Sequence, residues 1–179
     1  MTSSAVTSTL VLGGTRSGKS RYAEGLLPAD TAVRYLATAR RDPDDTEWST
    51  RLQAHRERRP PGWRTVEDPD IPAELRAGDT PVLVDDLATW LTRVLDDAGA
   101  WTAGPVPAAV TAAEVGLVDA VRDTRTRVVL VSAEVGWGVV PATRSGRLFR
   151  DRLGGLNAEL ARVCDEVVLV VAGLPLRLK

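Results

Sequence analysis

The sequence predicts a single α/β domain built on a mainly parallel sheet. Three observations predict it. First, Gly13-Gly14-Thr15-Arg16-Ser17-Gly18-Lys19-Ser20 is a complete G-x-x-x-x-G-K-S phosphate-binding loop, with an apolar run before it and helix formers after it. Second, short apolar runs alternate with longer helical stretches along the chain. Third, the runs Val128-Val129-Leu130-Val131 and Val167-Val168-Leu169-Val170-Val171 are continuous rather than alternating, as strands covered on both faces are.

Thr9-Leu10-Val11-Leu12 ends at the first glycine of the loop and forms the first strand, 9–12. Arg21-Tyr22-Ala23-Glu24 continues from Lys19 as helix, 19–27. Further strands are expected at 32–38, 63–67, 82–85, 127–132 and 167–171, and further helices at 46–58, 88–98, 108–124 and 147–163. Residues 99–107 hold two glycines and two prolines and read as an exposed connection. The 179 residues suit one domain, 1–179, with residues 1–8 as a flexible extension ahead of the first strand.

Composition narrows the function. Net charge is −1 and the pI is about 5.9, so no basic excess points to nucleic acid as a partner. Cys164 is the only cysteine, which excludes an internal disulfide and suits a reducing compartment. Met1-Thr2-Ser3-Ser4 carries no basic n-region, and no apolar run reaches the ~20 residues of a membrane span. The expectation is a cytoplasmic enzyme.

Each part of the loop has a physical task. Glycines let successive N–H groups turn inward toward phosphate oxygens. Lys19 reaches the β- and γ-phosphates, and the Ser20 hydroxyl holds Mg²⁺. Val82-Leu83-Val84-Asp85-Asp86 is an apolar strand ending in carboxylate, the means by which such folds reach Mg²⁺ from a neighbouring strand. Asp86 has two open roles, sharing the metal or capping the next helix.

His55 is the only histidine. On a helix 46–58 it shares a face with Trp48 and Leu52, which is the pattern of a packing residue. Yet Arg51, Arg56, Arg58 and Arg59 surround it. Such cations disfavour the imidazolium and attract polyphosphate, and a neutral imidazole beside a triphosphate serves as base or nucleophile. Both readings stay open on these grounds. The segment Ser132 to Pro141 comes after a buried-looking strand and lies where open α/β sheets bind ligands. There Glu134 orients a substrate or metal, or neither. Trp137 stacks on a flat ligand or covers the core.

Four motifs, in order and spanning about residues 10–176, resemble one family. They are GGTRSGKS, the His55 segment ending RRPPGWRTVE, VLVDD with ATWLT, and SAEVGWGVVP with Arg147-Leu148-Phe149-Arg150-Asp151 and Leu156-Asn157 after it. The chain resembles the bifunctional adenosylcobinamide kinase / adenosylcobinamide-phosphate guanylyltransferase of cobalamin biosynthesis.

The resemblance implies a three-layer, RecA-like P-loop fold and a homotrimer. It also implies two reactions. The γ-phosphoryl of ATP or GTP passes to the aminopropanol hydroxyl of adenosylcobinamide. A histidine then attacks the α-phosphate of GTP, and the GMP it carries passes to the cobinamide phosphate.

Carried onto this sequence, the catalytic residues are His55 and Lys19. The nucleotide contacts are Gly13, Gly14, Thr15, Arg16, Ser17, Gly18, Lys19, Ser20, Thr38, Ala39, Arg40, Arg56, Glu57, Arg58, Arg59, Glu67 and Asp85, and the Mg²⁺ ligands are Ser20 and Asp85. Some relatives have two adjacent histidines where this chain has Ala54-His55, so His55 is the acceptor here. Ala133 and Arg93 stand where relatives often carry Asn, and Asp86 replaces a common Cys. Two other readings fit the loop: another small-molecule kinase with His55 structural, or a nucleotide-dependent switch or assembly ATPase.

Overall fold

The computed structural model describes residues 7–39 and 59–179. In chain order the elements are β1 (Ser8–Gly13), α1 (Lys19–Gly25), β2 (Val33–Ala37), β3 (Trp63–Glu67), α2 (Ile71–Arg76), β4 (Val82–Asp85), α3 (Leu87–Asp97), α4 (Ala108–Asp123), β5 (Val128–Ala133), α5 (Arg144–Val163), β6 (Glu166–Val171) and β7 (Leu174–Arg177). The sheet runs β3-β2-β4-β5-β1-β6-β7. Every neighbouring pair is parallel except the β6–β7 hairpin.

Side chains alternate across this sheet, and both faces are covered. On one face Leu10, Leu36, Val84 and Leu130 pack with Ile71, Leu91, Leu117 and Leu153 from α2 to α5. On the other, Val11, Tyr35, Leu83, Val129 and Val168 pack with Ala23 of α1 and with Leu27. The result is three layers, and it explains why the strands read as unbroken apolar runs.

All six expected strands are present, with ends moved by a residue at most. Ser8 joins β1: its amide and that of Thr7 each donate to Asp165 Oδ2 at 2.9 Å. The sheet therefore claims Ser8 from the expected extension. Residues 1–6 and the expected helix 46–58 lie outside the described residues. Helix α5 starts three residues before the expected 147, because Thr143 caps it by accepting from the Gly146 amide at 3.1 Å.

Two elements were not expected. Helix α2 is short, but Asp70 caps it by accepting from Ala73 N at 3.1 Å, and Ile71 and Leu75 are buried. Strand β7 is exposed and contains Pro175, which an edge strand tolerates. Its turn, Ala172-Gly173, has positive φ at both positions (51° and 81°), the conformation that suits a tight hairpin.

Cys164 is buried just after α5, and burial pushes its thiol up to about 12. Reactivity belongs to the thiolate. A thiol reagent at pH 8 is therefore expected to leave the native protein unlabelled over minutes and to titrate one thiol in denaturant. Rapid native labelling would contradict the burial.

Candidate active site

The phosphate-binding loop joins the C-terminal end of β1 to α1. Gly13 is required by close approach: a Cβ there would collide with Ser17 Oγ and lie 2.8 Å from the Val170 carbonyl. Gly18 is the N-cap of α1, with φ 93°. A Cβ at Gly18 would press on Gly173 Cα at 3.3 Å, in the β6–β7 turn. That turn also supports the loop directly, since the Gly173 amide donates to the Ser17 carbonyl at 2.8 Å. Lys19 Nζ donates to the Gly14 carbonyl over a long 3.4 Å. Ser17 Oγ is buried and has no hydrogen-bond partner among the described residues.

Strand β4 is not adjacent to β1; β5 lies between them. Ser20, in the first turn of α1, nevertheless reaches across and donates to Asp85 Oδ1 at 3.1 Å. The other carboxylate oxygen, Oδ2, accepts a short hydrogen bond from the Tyr35 hydroxyl of β2. Tyr35 is buried. Burial first, and the neighbouring Asp85 charge second, hold its phenol well above the ordinary range, so it remains a donor. The Arg59 guanidinium sits 3.5 Å from the centre of the Tyr35 ring, and Arg59 Nη1 donates to Thr65 Oγ1 at 2.7 Å.

Asp86 takes the second of its two open roles. Its side chain caps α3 by accepting from the Thr89 amide at 2.9 Å. Burial, and then the charge of Asp85, raise its pKa. The buried Thr38 hydroxyl donates to the Asp86 carbonyl at 2.6 Å and accepts from the Asp86 amide at 3.0 Å. It thereby ties the end of β2 to the end of β4. Ala39 comes directly after Thr38 at that edge. Glu67 ends β3 and is exposed.

Glu134 lies beside the loop: its amide donates to the Gly13 carbonyl at 3.1 Å. Its carboxylate accepts from the Gly136 amide at 2.9 Å, so it braces its own turn. Trp137 is 76% exposed and does not cover the core. Asn157 donates to the Ala133 carbonyl at 3.0 Å and accepts from the buried Ser132 hydroxyl at 2.7 Å, fixing the strand end from which that turn leaves. Arg93 pairs with Asp68 and donates to the Pro69 carbonyl at 3.0 Å, which anchors α3 to the segment after β3.

The structure thus brings together the loop, Ser20 and Asp85, with Thr38 at the neighbouring strand end, at the carboxyl edge of the sheet, whereas Arg59 lies on the Tyr35 ring. Arg40, His55, Arg56, Glu57 and Arg58 lie outside the described residues. Sequence reasoning missed Tyr35 and Gly173. Gly173 carried a signal, a lone glycine between two apolar runs. Tyr35 carried none beyond its place in a strand.

Among the described residues no cluster of three His, Cys, Asp or Glu side chains is built to hold a metal, and no helix is long and apolar enough to cross a membrane. Ser20 and Asp85 instead supply hard oxygen donors beside a phosphate loop. That donor set fits Mg²⁺, which takes one or two protein oxygens and completes its shell with phosphates and water.

The profile of the cobinamide kinase / cobinamide phosphate guanyltransferase family matches residues 9–178. The chain is 39% identical to the bifunctional adenosylcobalamin biosynthesis protein CobU of Escherichia coli, over 95% of this chain and 98% of that one. It is 40% identical to the bifunctional adenosylcobalamin biosynthesis protein CobP of Pseudomonas aeruginosa, over 95% of this chain and 96% of that one. Among solved structures, an ATPase from the type III secretion system of pathogenic bacteria matches with a TM-score of 0.51 and 10% identity. That match covers 96% of this chain and 56% of the ATPase, so it speaks for the P-loop fold alone. With the loop, the Ser20–Asp85 pair and the match over nearly its whole length in view, the chain belongs to the cobinamide kinase / cobinamide phosphate guanyltransferase family.

Proposed function

We propose that this chain carries out two successive transfers at one nucleotide site. In the first, the γ-phosphoryl of ATP or GTP goes to the aminopropanol hydroxyl of adenosylcobinamide. In the second, an imidazole nitrogen of His55 attacks the α-phosphate of GTP and pyrophosphate leaves. The GMP held on His55 then passes to the phosphate of adenosylcobinamide phosphate, giving adenosylcobinamide-GDP. The family match over residues 9–178 carries this reading, and the Ser20–Asp85 contact beside the phosphate loop supports it, since a hydroxyl and a carboxylate there suit a nucleotide's cation.

Within that site the residues divide the work. Backbone N–H groups of Gly13 to Ser20 bind the phosphates, and Lys19 places its ammonium against the β- and γ-oxygens. Ser20 and Asp85 would hold Mg²⁺, which when bound neutralises charge on the transferring phosphate. Arg56, Arg58 and Arg59, close to His55 in the sequence, would supply further positive charge for the triphosphate. The reading includes a cytoplasmic homotrimer.

Incubation with α-labelled GTP tests the reading, since only the guanylyltransferase holds acid-labile GMP covalently. A kinase that uses His55 structurally, or an ATPase switch, would retain none. Asp85→Asn is expected to keep the thermal midpoint without nucleotide within about 2 °C, because the side chain lies at the rim of the sheet rather than in its core. It is expected to lose most of the extra stabilisation that Mg²⁺ with nucleotide gives, which scales as the logarithm of ligand over its dissociation constant. A large fall in the midpoint without nucleotide would mark Asp85 as a folding residue.

A further inference from the structure

We infer that Tyr35 is a positioning residue for the cation site: its hydroxyl, held by a ring that Arg59 clamps from above, fixes the Asp85 carboxylate for the cation. The inference rests on the proposed reading of Ser20 and Asp85 as cation ligands.

Asp85 is the last residue of β4, where no further strand holds its side chain. A terminal carboxylate turns easily about its last bond unless both oxygens are engaged. Here both are. Ser20 donates to Oδ1 and Tyr35 to Oδ2. Nucleotide binding acts on these two bonds differently. Ser20 sits on the phosphate loop's own helix, so a cation bound there would be held by its hydroxyl and by Asp85 Oδ1. Tyr35 comes from the far side, in β2, and its bond to Oδ2 would leave Oδ1 free to serve the cation.

Tyr35 itself is fixed. It is buried, its ring stands 6.3 Å from that of Trp63, and the Arg59 guanidinium covers it at 3.5 Å. Arg59 is tied in turn to Thr65 of β3 at 2.7 Å. Strands β3 and β2 therefore act on β4 through a chain of contacts, Thr65 to Arg59 to Tyr35 to Asp85. A buried tyrosine hydroxyl needs a partner, and here that partner is the carboxylate beside the phosphate loop. Partners that orient metal-binding side chains act in this manner, and removing one typically weakens the metal about 10- to 100-fold.

The test compares wild type, Tyr35→Phe and Asp85→Asn in the full chain. Mn²⁺ is titrated by electron paramagnetic resonance in the presence of GDP, GDP binding is measured without metal, and the thermal midpoint is recorded without either. Tyr35→Phe keeps the ring and the Arg59 contact and removes only the hydroxyl. It is expected to weaken Mn²⁺ about 10-fold, to change metal-free GDP affinity less than about 2-fold, and to leave the midpoint within about 2 °C.

Wild-type Mn²⁺ affinity in Tyr35→Phe, with Asp85→Asn impaired, would overturn the inference and leave the cation-site reading standing. Wild-type Mn²⁺ affinity in Asp85→Asn would overturn that reading and the inference with it. Equal losses of metal-free GDP and Mn²⁺ binding in Tyr35→Phe would make Tyr35 a structural residue and also overturn it. Should Tyr35→Phe fold poorly, fluorotyrosine-labelled wild type decides by ¹⁹F resonance. The Tyr35 signal, assigned with Tyr22→Phe, is expected to move when Mg²⁺ is added to the GDP complex. A signal that ignores Mg²⁺ would overturn the inference.

Discussion

His55→Asn is expected to abolish covalent GMP on the protein while leaving phosphoryl transfer to adenosylcobinamide within about 5-fold of wild type. No other histidine exists in the chain to take its place. On the proposed reading, the arginines around it in sequence would stabilise the charge that develops on the α-phosphate and on leaving pyrophosphate. A phosphoramidate is also easily broken again by a second acceptor, which a two-step transfer needs. The kinase step asks only for the phosphate loop, the cation and a positioned hydroxyl. Acid-labile label from α-labelled GTP on the His55→Asn protein would falsify the assignment. Loss of both activities together with a fall in thermal midpoint would mean that His55 packs with Trp48 and Leu52 instead.

Lys19→Ala is expected to depress phosphoryl transfer and guanylylation together, each by about 10²-fold or more, because charge stabilisation dominates such transfers. The chain has a single G-x-x-x-x-G-K-S motif, so on the proposed reading both triphosphates would meet the same ammonium. The 3.4 Å contact of Lys19 Nζ with the Gly14 carbonyl is weak, and phosphate oxygens replace it readily. Measuring both half-reactions on one preparation checks the shared site. Guanylylation at the wild-type rate would require a second triphosphate site.

Much of this site is legible in the chain itself. The phosphate loop is local: eight consecutive residues carry the turn, the cation and the hydroxyl, and their order is the signal. Asp85 is legible because a strand end is marked by where its apolar run stops. Asp86 is not decidable from sequence, since capping and metal binding use the same carboxylate. The Thr89 amide, 2.9 Å away, shows the capping role.

Tyr35 is illegible for a different reason. In the parallel register it pairs with Leu83, while Asp85 pairs with Ala37 two residues on. The Tyr35 hydroxyl reaches Asp85 only along the diagonal, on the shared face of two strands that are distant in sequence. Helix α2 has its signals, Asp70 before Ile71-Pro72, but is too short to show periodicity. Strand β7 announces a turn at Gly173 and then hides behind Pro175.

The central position of β1 has a consequence for how the protein comes into being. Ser8 to Gly13 pair on one side with Val128 to Ala133, and Thr9 to Gly13 pair on the other with Glu166 to Val170. Strand β1 must therefore wait for partners made more than a hundred residues later. On the ribosome the apolar run that leads into the phosphate loop emerges early, without either neighbour, and its loop has no Gly173 to rest on. Contacts this distant in sequence make folding slow and leave intermediates open to aggregation. Nascent chains arrested before β6 has emerged are expected to bind no nucleotide, and those released after β7 to bind it fully.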